Sequence, residues 1–150
     1  MAEHMRLLRF YFWILGLFTV GRWGLSLGHA DYSKTHQVFS LVILALVASA
    51  HHAAFARAFA GYSLKRAVVL GGLIGLITQV VIFLSTAVSY VLGMSTFFNN
   101  PTALNVTEPI PMGAALMARV GGLVINTILN MIAATIGYFM GAALPKSRTA

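Results

Sequence analysis

Two adjacent imidazoles, His51 and His52, have more chemistry to offer than any other side chains in this sequence. Imidazole ligates metals and haem iron and exchanges a proton near neutral pH. Neighbouring positions on a helix point ~100° apart, so two adjacent rings do not converge on one ion as an i, i+4 pair does. A bis-imidazole haem would need a facing His from another helix, and the remaining histidines, His4, His29 and His36, lie outside the other apolar runs. Only a second copy or a partner subunit could complete a haem, quinone or metal site on His51 or His52. The plainer expectation is a structural pair, hydrogen-bonded or interfacial. A pH- or ligand-responsive role is the functional alternative. Their position less than two turns before Arg57 predicts that they lie near the inner end of their helix.

The carboxylates decide more by their scarcity. Glu3, Asp31 and Glu108 are the only acids, and all three fall outside the apolar runs. Proton relays inside membranes commonly use intramembrane carboxylates, acid–base pairs need two within reach of one substrate, and calcium-type sites need several oxygens. None of these can be assembled within the chain. Cys is absent, which removes thiolate nucleophiles, disulfides and cysteine-ligated metals. His29, Asp31 and His36 share a short connection but lack the spacing of a metal motif. Gly71, Gly72 and Gly75 lie within an apolar run, where a phosphate-binding loop cannot be. No catalytic residue, cofactor or metal ligand is therefore assigned, and an enzyme acting alone is not expected.

The elements that position these residues are apolar helices. Residues 67–92 run for 26 positions without a charge. At ~1.5 Å per residue they reach roughly 39 Å, beyond the ~30 Å hydrocarbon core of a bilayer. Charged residues are only 9% of the chain, against about 25% in soluble domains, so the composition is that of an integral membrane protein. The expected fold is all-α: a single polytopic domain over residues 1–150, with four transmembrane helices in an up-down bundle. The predicted spans are 8–27, 37–56, 67–92 and 114–144, with one long external loop at 93–112 that holds Pro101, Pro109 and Pro111.

The first run has the basic start of a signal peptide, and Gly28, His29 and Ala30 resemble a cleavage site. Arg22 and Trp23 interrupt its end, so a retained helix is expected. Arg22 should snorkel to the headgroups or pair with Asp31. The sharper reading makes it an anion-attracting group at a pore mouth. In the long loop, Phe97 and Phe98 are expected to dip into the membrane interface.

The net charge of +7 suggests nucleic acid at first sight. Its distribution favours a membrane: Arg6, Arg9, Arg57, Lys65, Arg66, Lys146 and Arg148 fall on one side of a four-span chain, and Arg22, Lys34 and Arg119 on the other. The positive-inside rule then puts both termini in the cytoplasm. The expected partners are the lipid bilayer and either copies of the chain or other membrane subunits, with no nucleic acid. The expected location is a bacterial-type inner (plasma) membrane.

Two further patterns concern packing. Gly71 and Gly75 form one small-residue pair, and Gly137 and Gly141 another; Gly122 lies on the face of the second pair. Such faces let helices approach closely. A polar layer of Gln79, Asn126, Asn130, Thr78 and Ser49 lies near mid-span, with Gln79 and Asn130 expected to bond to each other across the third and fourth spans. This layer is either interhelical glue or the lining of a path. Packing surfaces without a chemical constellation make a structural, assembly or accessory subunit of a membrane complex the first expectation. A small oligomeric channel or facilitator with an uncharged polar path comes second, and a subunit lending His51 or His52 to a cofactor third.

Overall fold

Four helices of the computed structural model, which describes residues 2–144, are long and apolar enough to cross a membrane. The chain runs α1 (Ala2–Leu7), α2 (Arg9–Leu27), α3 (Tyr32–Thr35), α4 (Leu41–Ala60), α5 (Leu64–Val91) and α6 (Met112–Met140), with 3-10 turns at Thr102–Leu104 and Gly141–Ala143. The described residues contain no strand. The basic tail with Lys146 and Arg148 lies outside them.

Helix ends follow local chemistry. Ser40 opens α4, its hydroxyl accepting from the Ile43 amide at 3.4 Å, and Gly61 closes it in the left-handed region at φ 63°. Glycine adopts that conformation without a β-carbon penalty. The second span is therefore displaced four residues from its expected 37–56. Residues 37–39 instead form a turn with Phe39 at φ 51°, whose ring packs edge-on against Phe18 at 5.4 Å. At its other end α4 continues through Arg57, because Ala58, Phe59 and Ala60 are as helix-compatible as what precedes them. The displacement corrects the expected depth of the histidine pair: His51 and His52 lie midway along α4 instead of near an end. Pro111 precedes α6, where a missing backbone N–H costs nothing. The α1–α2 junction at Leu8 keeps helical bonds on both sides, Leu8 N–H to His4 and Phe12 N–H to Leu8, each at 3.0 Å.

Contacts set the directions. Ala50 and Ala54 of α4 meet Gly137 of α6 and Gly141 of the 3-10 turn that continues it in the same order, so these helices run parallel. Gly71 and Gly75 of α5 meet Ala134 and Asn130 in reverse order, so α5 and α6 are antiparallel. His4 packs beside Tyr62, their rings 5.3 Å apart, which puts the start of the chain at the α4–α5 turn. The result is an up-down bundle with a termini end and a loop end, the latter formed by α3 and residues 92–111.

α5 is the central helix. It buries eleven residues, from Ala67 to Ser89, whereas α6 buries four. Leu8, Tyr11 and Leu15 join Leu41, Ala45, Leu70, Ile74 and Ile82 in the main apolar core. The outward faces are broadly apolar: Trp13 is 81% exposed and Met117 71%. Faces like these find their natural solvent in lipid.

Candidate functional site

Glycine contacts fix the register of the polar layer. A β-carbon on Gly71 would overlap Ala134 and lie 2.6 Å from the Asn130 carbonyl oxygen; one on Gly75 would lie 2.9 Å from Asn130 Cβ. Four residues up α5 thus correspond to four residues down α6, and the next turn sets Gln79 opposite Asn126, not Asn130. The expected Gln79–Asn130 bond does not form, because the two amides differ in level by one helical turn. Asn130 instead accepts from the Ser49 hydroxyl at 2.7 Å and donates to the Asn126 carbonyl at 2.7 Å. Both Ser49 and Asn130 are buried, so this bond joins α4 to α6 in the dry interior. Asn126 donates to the Gly122 carbonyl at 2.9 Å, a bond within its own helix.

The second glycine pair serves a different neighbour from the first. A β-carbon on Gly137 would overlap the Ala50 carbonyl oxygen, and one on Gly141 would lie 2.5 Å from that of Ala54. So Gly71 and Gly75 seat α5 on α6, while Gly137 and Gly141 seat α6 on α4. Gly122 has room to spare, its nearest neighbours being Asn126 Nδ2 at 3.8 Å and Gln79 Oε1 at 3.9 Å.

Thr78 takes part in a second interhelical bond. Its hydroxyl hydrogen goes to the Ile74 carbonyl at 2.7 Å, so the Tyr11 hydroxyl bonded to it is the donor. Tyr11 also faces His52, with the rings edge-on at 6.2 Å. His52 donates from Nδ1 to the Ala48 carbonyl at 2.8 Å, one turn back on its own helix. His51 turns outward and stacks with Phe55 at 6.5 Å. The two rings lie edge to face, 5.6 Å apart. Among the described residues no three metal-ligating side chains cluster.

At the loop end, side chains hold an irregular backbone that has no ladder of its own. Arg119 donates from Nε to Thr86 at 3.1 Å, and from its terminal nitrogens to the carbonyls of Ala103 at 3.1 Å and Phe98 at 2.6 Å. Ser26 accepts from the Phe97 amide at 2.9 Å, and Tyr90 donates to the Ile110 carbonyl at 2.7 Å. Phe97 and Phe98 are buried within the protein, and Phe98 packs on Trp23 with rings 5.5 Å apart. Arg22 departs from its expected pairing with Asp31. It donates to the His36 carbonyl at 3.0 Å and lies 5.4 Å from the Phe97 ring centre. Asp31 is occupied locally, accepting from the Ser33 amide at 2.9 Å as the cap of α3 and facing Lys34 at 3.7 Å.

Arg22 and Arg119 both line one cavity of about 180 Å³, together with Tyr32, His36 and Ser40. A neighbouring cavity of about 410 Å³ shares Arg119, Val42, Ile82 and Ala103 with it and extends to Gln79 and Asn126. Sequence reasoning passed over Arg119 and Tyr11. The signal for Arg119 was present: a lone cation two turns inside an apolar run, in a chain with almost no acid to pair it. Tyr11 carried no such mark, since an aromatic near a helix end is ordinary. No family model, curated protein or solved structure matches the chain.

Proposed function

We propose that this chain is a non-catalytic integral membrane protein, acting as a structural, assembly or accessory subunit of a membrane complex. The observation that carries the reading is how the interior polar groups are used. Ser49, Asn130, Thr78 and Tyr11 are joined across helices, and four glycines press α6 against α4 and α5 until backbones touch. Leu8, Leu15, Leu41, Ala45 and Ile74 fill the remaining space between α2, α4 and α5. Polar residues spent on such bonds are glue, and a path through one copy would have to break them. The excess of basic side chains at the termini end supports cytoplasmic termini for a four-span chain, in an inner (plasma) membrane of bacterial type. The partners are lipid and other membrane subunits, or further copies of the chain.

The rival reading, a channel or facilitator, makes a contrary prediction for reconstituted vesicles. Purified protein in liposomes should release neither small neutral solutes nor ions above the rate of protein-free liposomes. Saturable release that depends on the protein, and that changes in Asn130→Leu, would replace the structural reading with the channel.

A further inference from the structure

We propose that the cavity between Arg22 and Arg119 binds a phosphate-type oxyanion, presented on an anionic lipid headgroup or free in solution. Two fixed positive charges line a single cavity of about 180 Å³. Neither has a carboxylate partner among the described residues, because Asp31 is engaged by Lys34 and Ser33. A half-buried cation pair lacking a counter-charge is unfavourable, and an anion between the two removes that penalty. Donors are available for it. A guanidinium has five N–H groups; Arg22 donates to the His36 carbonyl and interacts with the Tyr32 side chain, and Arg119 donates to Thr86, Ala103 and Phe98, which leaves hydrogens on both. The Ser40 hydroxyl accepts from the Ile43 amide and so keeps its own hydrogen for a ligand. The volume corresponds to roughly six waters at ~30 Å³ each, room for one tetrahedral oxyanion and its remaining hydration.

A second observation points to the same place and to the body of the ligand. The Gln79 side chain is 4% exposed, and its amide stays accessible from the adjoining cavity instead of being sealed in the core. That cavity, of about 410 Å³, also contains Arg119. An amide open to a cavity takes its hydrogen bonds from water or from a polar group of a ligand seated there. A ligand with its charged group at the arginines and a neutral ester or hydroxyl group below them would supply such a group. The rim of this cavity includes Ile125, which is 60% exposed on the outside of the bundle, where acyl chains would lie. An anionic glycerolipid meets all three requirements; free phosphate meets the first.

Thermal unfolding of delipidated protein in a non-ionic detergent separates the two sources. Three titrations are compared: phosphatidylglycerol in mixed micelles, phosphatidylcholine in mixed micelles, and inorganic phosphate at fixed ionic strength. A ligand of the folded state raises the midpoint temperature in a saturable way. We expect a saturable rise with phosphatidylglycerol and none with phosphatidylcholine. Arg22→Gln should require at least about tenfold more ligand for the same rise, as expected for loss of a charge-assisted contact. Gln79→Leu, which removes no hydrogen bond of the protein, should also weaken the effect, while Arg22→Lys should keep part of it. A saturable rise with inorganic phosphate alone, lost in Arg22→Gln, assigns the site to a free anion. No saturable rise with either, or a rise that both Arg22→Gln and Gln79→Leu leave unchanged, overturns the proposal. The variants avoid Arg119, whose clamp on Phe98 and Ala103 makes folding failure the expected result of its loss.

Discussion

Single residues show where side-chain type was informative and where it was not. That Ser49, Thr78, Gln79, Asn126 and Asn130 form a layer is legible from their place in apolar runs. Which of them bond is not, because partners depend on a register of a few ångströms set by glycine contacts that a linear pattern does not contain. A shift of one turn separates the expected Gln79–Asn130 pair from the observed Ser49–Asn130 bond at 2.7 Å. The bond predicts coupling. Asn130→Leu leaves the Ser49 hydroxyl without its interhelical partner, at a cost on the order of 1–3 kcal/mol. Ser49→Ala should cost less, and the double variant should be milder than the sum of the two, by ~0.5 kcal/mol or more. Chemical or thermal unfolding in detergent measures this; strictly additive effects would mean that the two side chains do not act as a pair. Gln79→Leu in delipidated protein should change stability little, since no hydrogen bond within the protein is lost.

The helices themselves were legible from hydropathy, but their ends were less so. Residues 37–40 begin polar and look like the start of a span, yet Ser40 caps α4 and Phe39 turns the chain before it. The correction carries through to His51 and His52, moved to mid-helix by it. The small-residue motifs were also legible as contacts, though not as contacts with two different neighbours. This difference allows a graded test. Gly137→Ala would drive a β-carbon into the Ala50 carbonyl, backbone that cannot rotate away. It should cost about 1–3 kcal/mol or more, as overpacking does. Gly122→Ala meets nothing closer than 3.8 Å and should be neutral or stabilising by up to ~1 kcal/mol from helix propensity. Equal effects of the two substitutions on melting temperature would contradict the assigned packing.

For the whole molecule, the absence of charge over 26 consecutive residues and the segregation of basic side chains were enough to anticipate an all-helical chain with four spanning-length helices. The loop-end arrangement was hidden, because it depends on an irregular segment folding back so that Phe97 is buried against Tyr32 and Phe98 against Trp23. Seven basic residues on one side predict that reporters fused after Lys146 and inserted between Asn99 and Thr107 lie in opposite compartments. Reporters in the same compartment would mean that α6 does not cross the membrane. The central claim, a subunit whose interior is for packing and whose outward faces are for lipid and partners, is tested most directly by the mass and composition of the particle extracted from native membranes in mild detergent. The expected particle is well above the 16.1 kDa of one chain and contains other polypeptides in fixed ratio. A closed ring made of this chain alone, conducting when reconstituted, would contradict it.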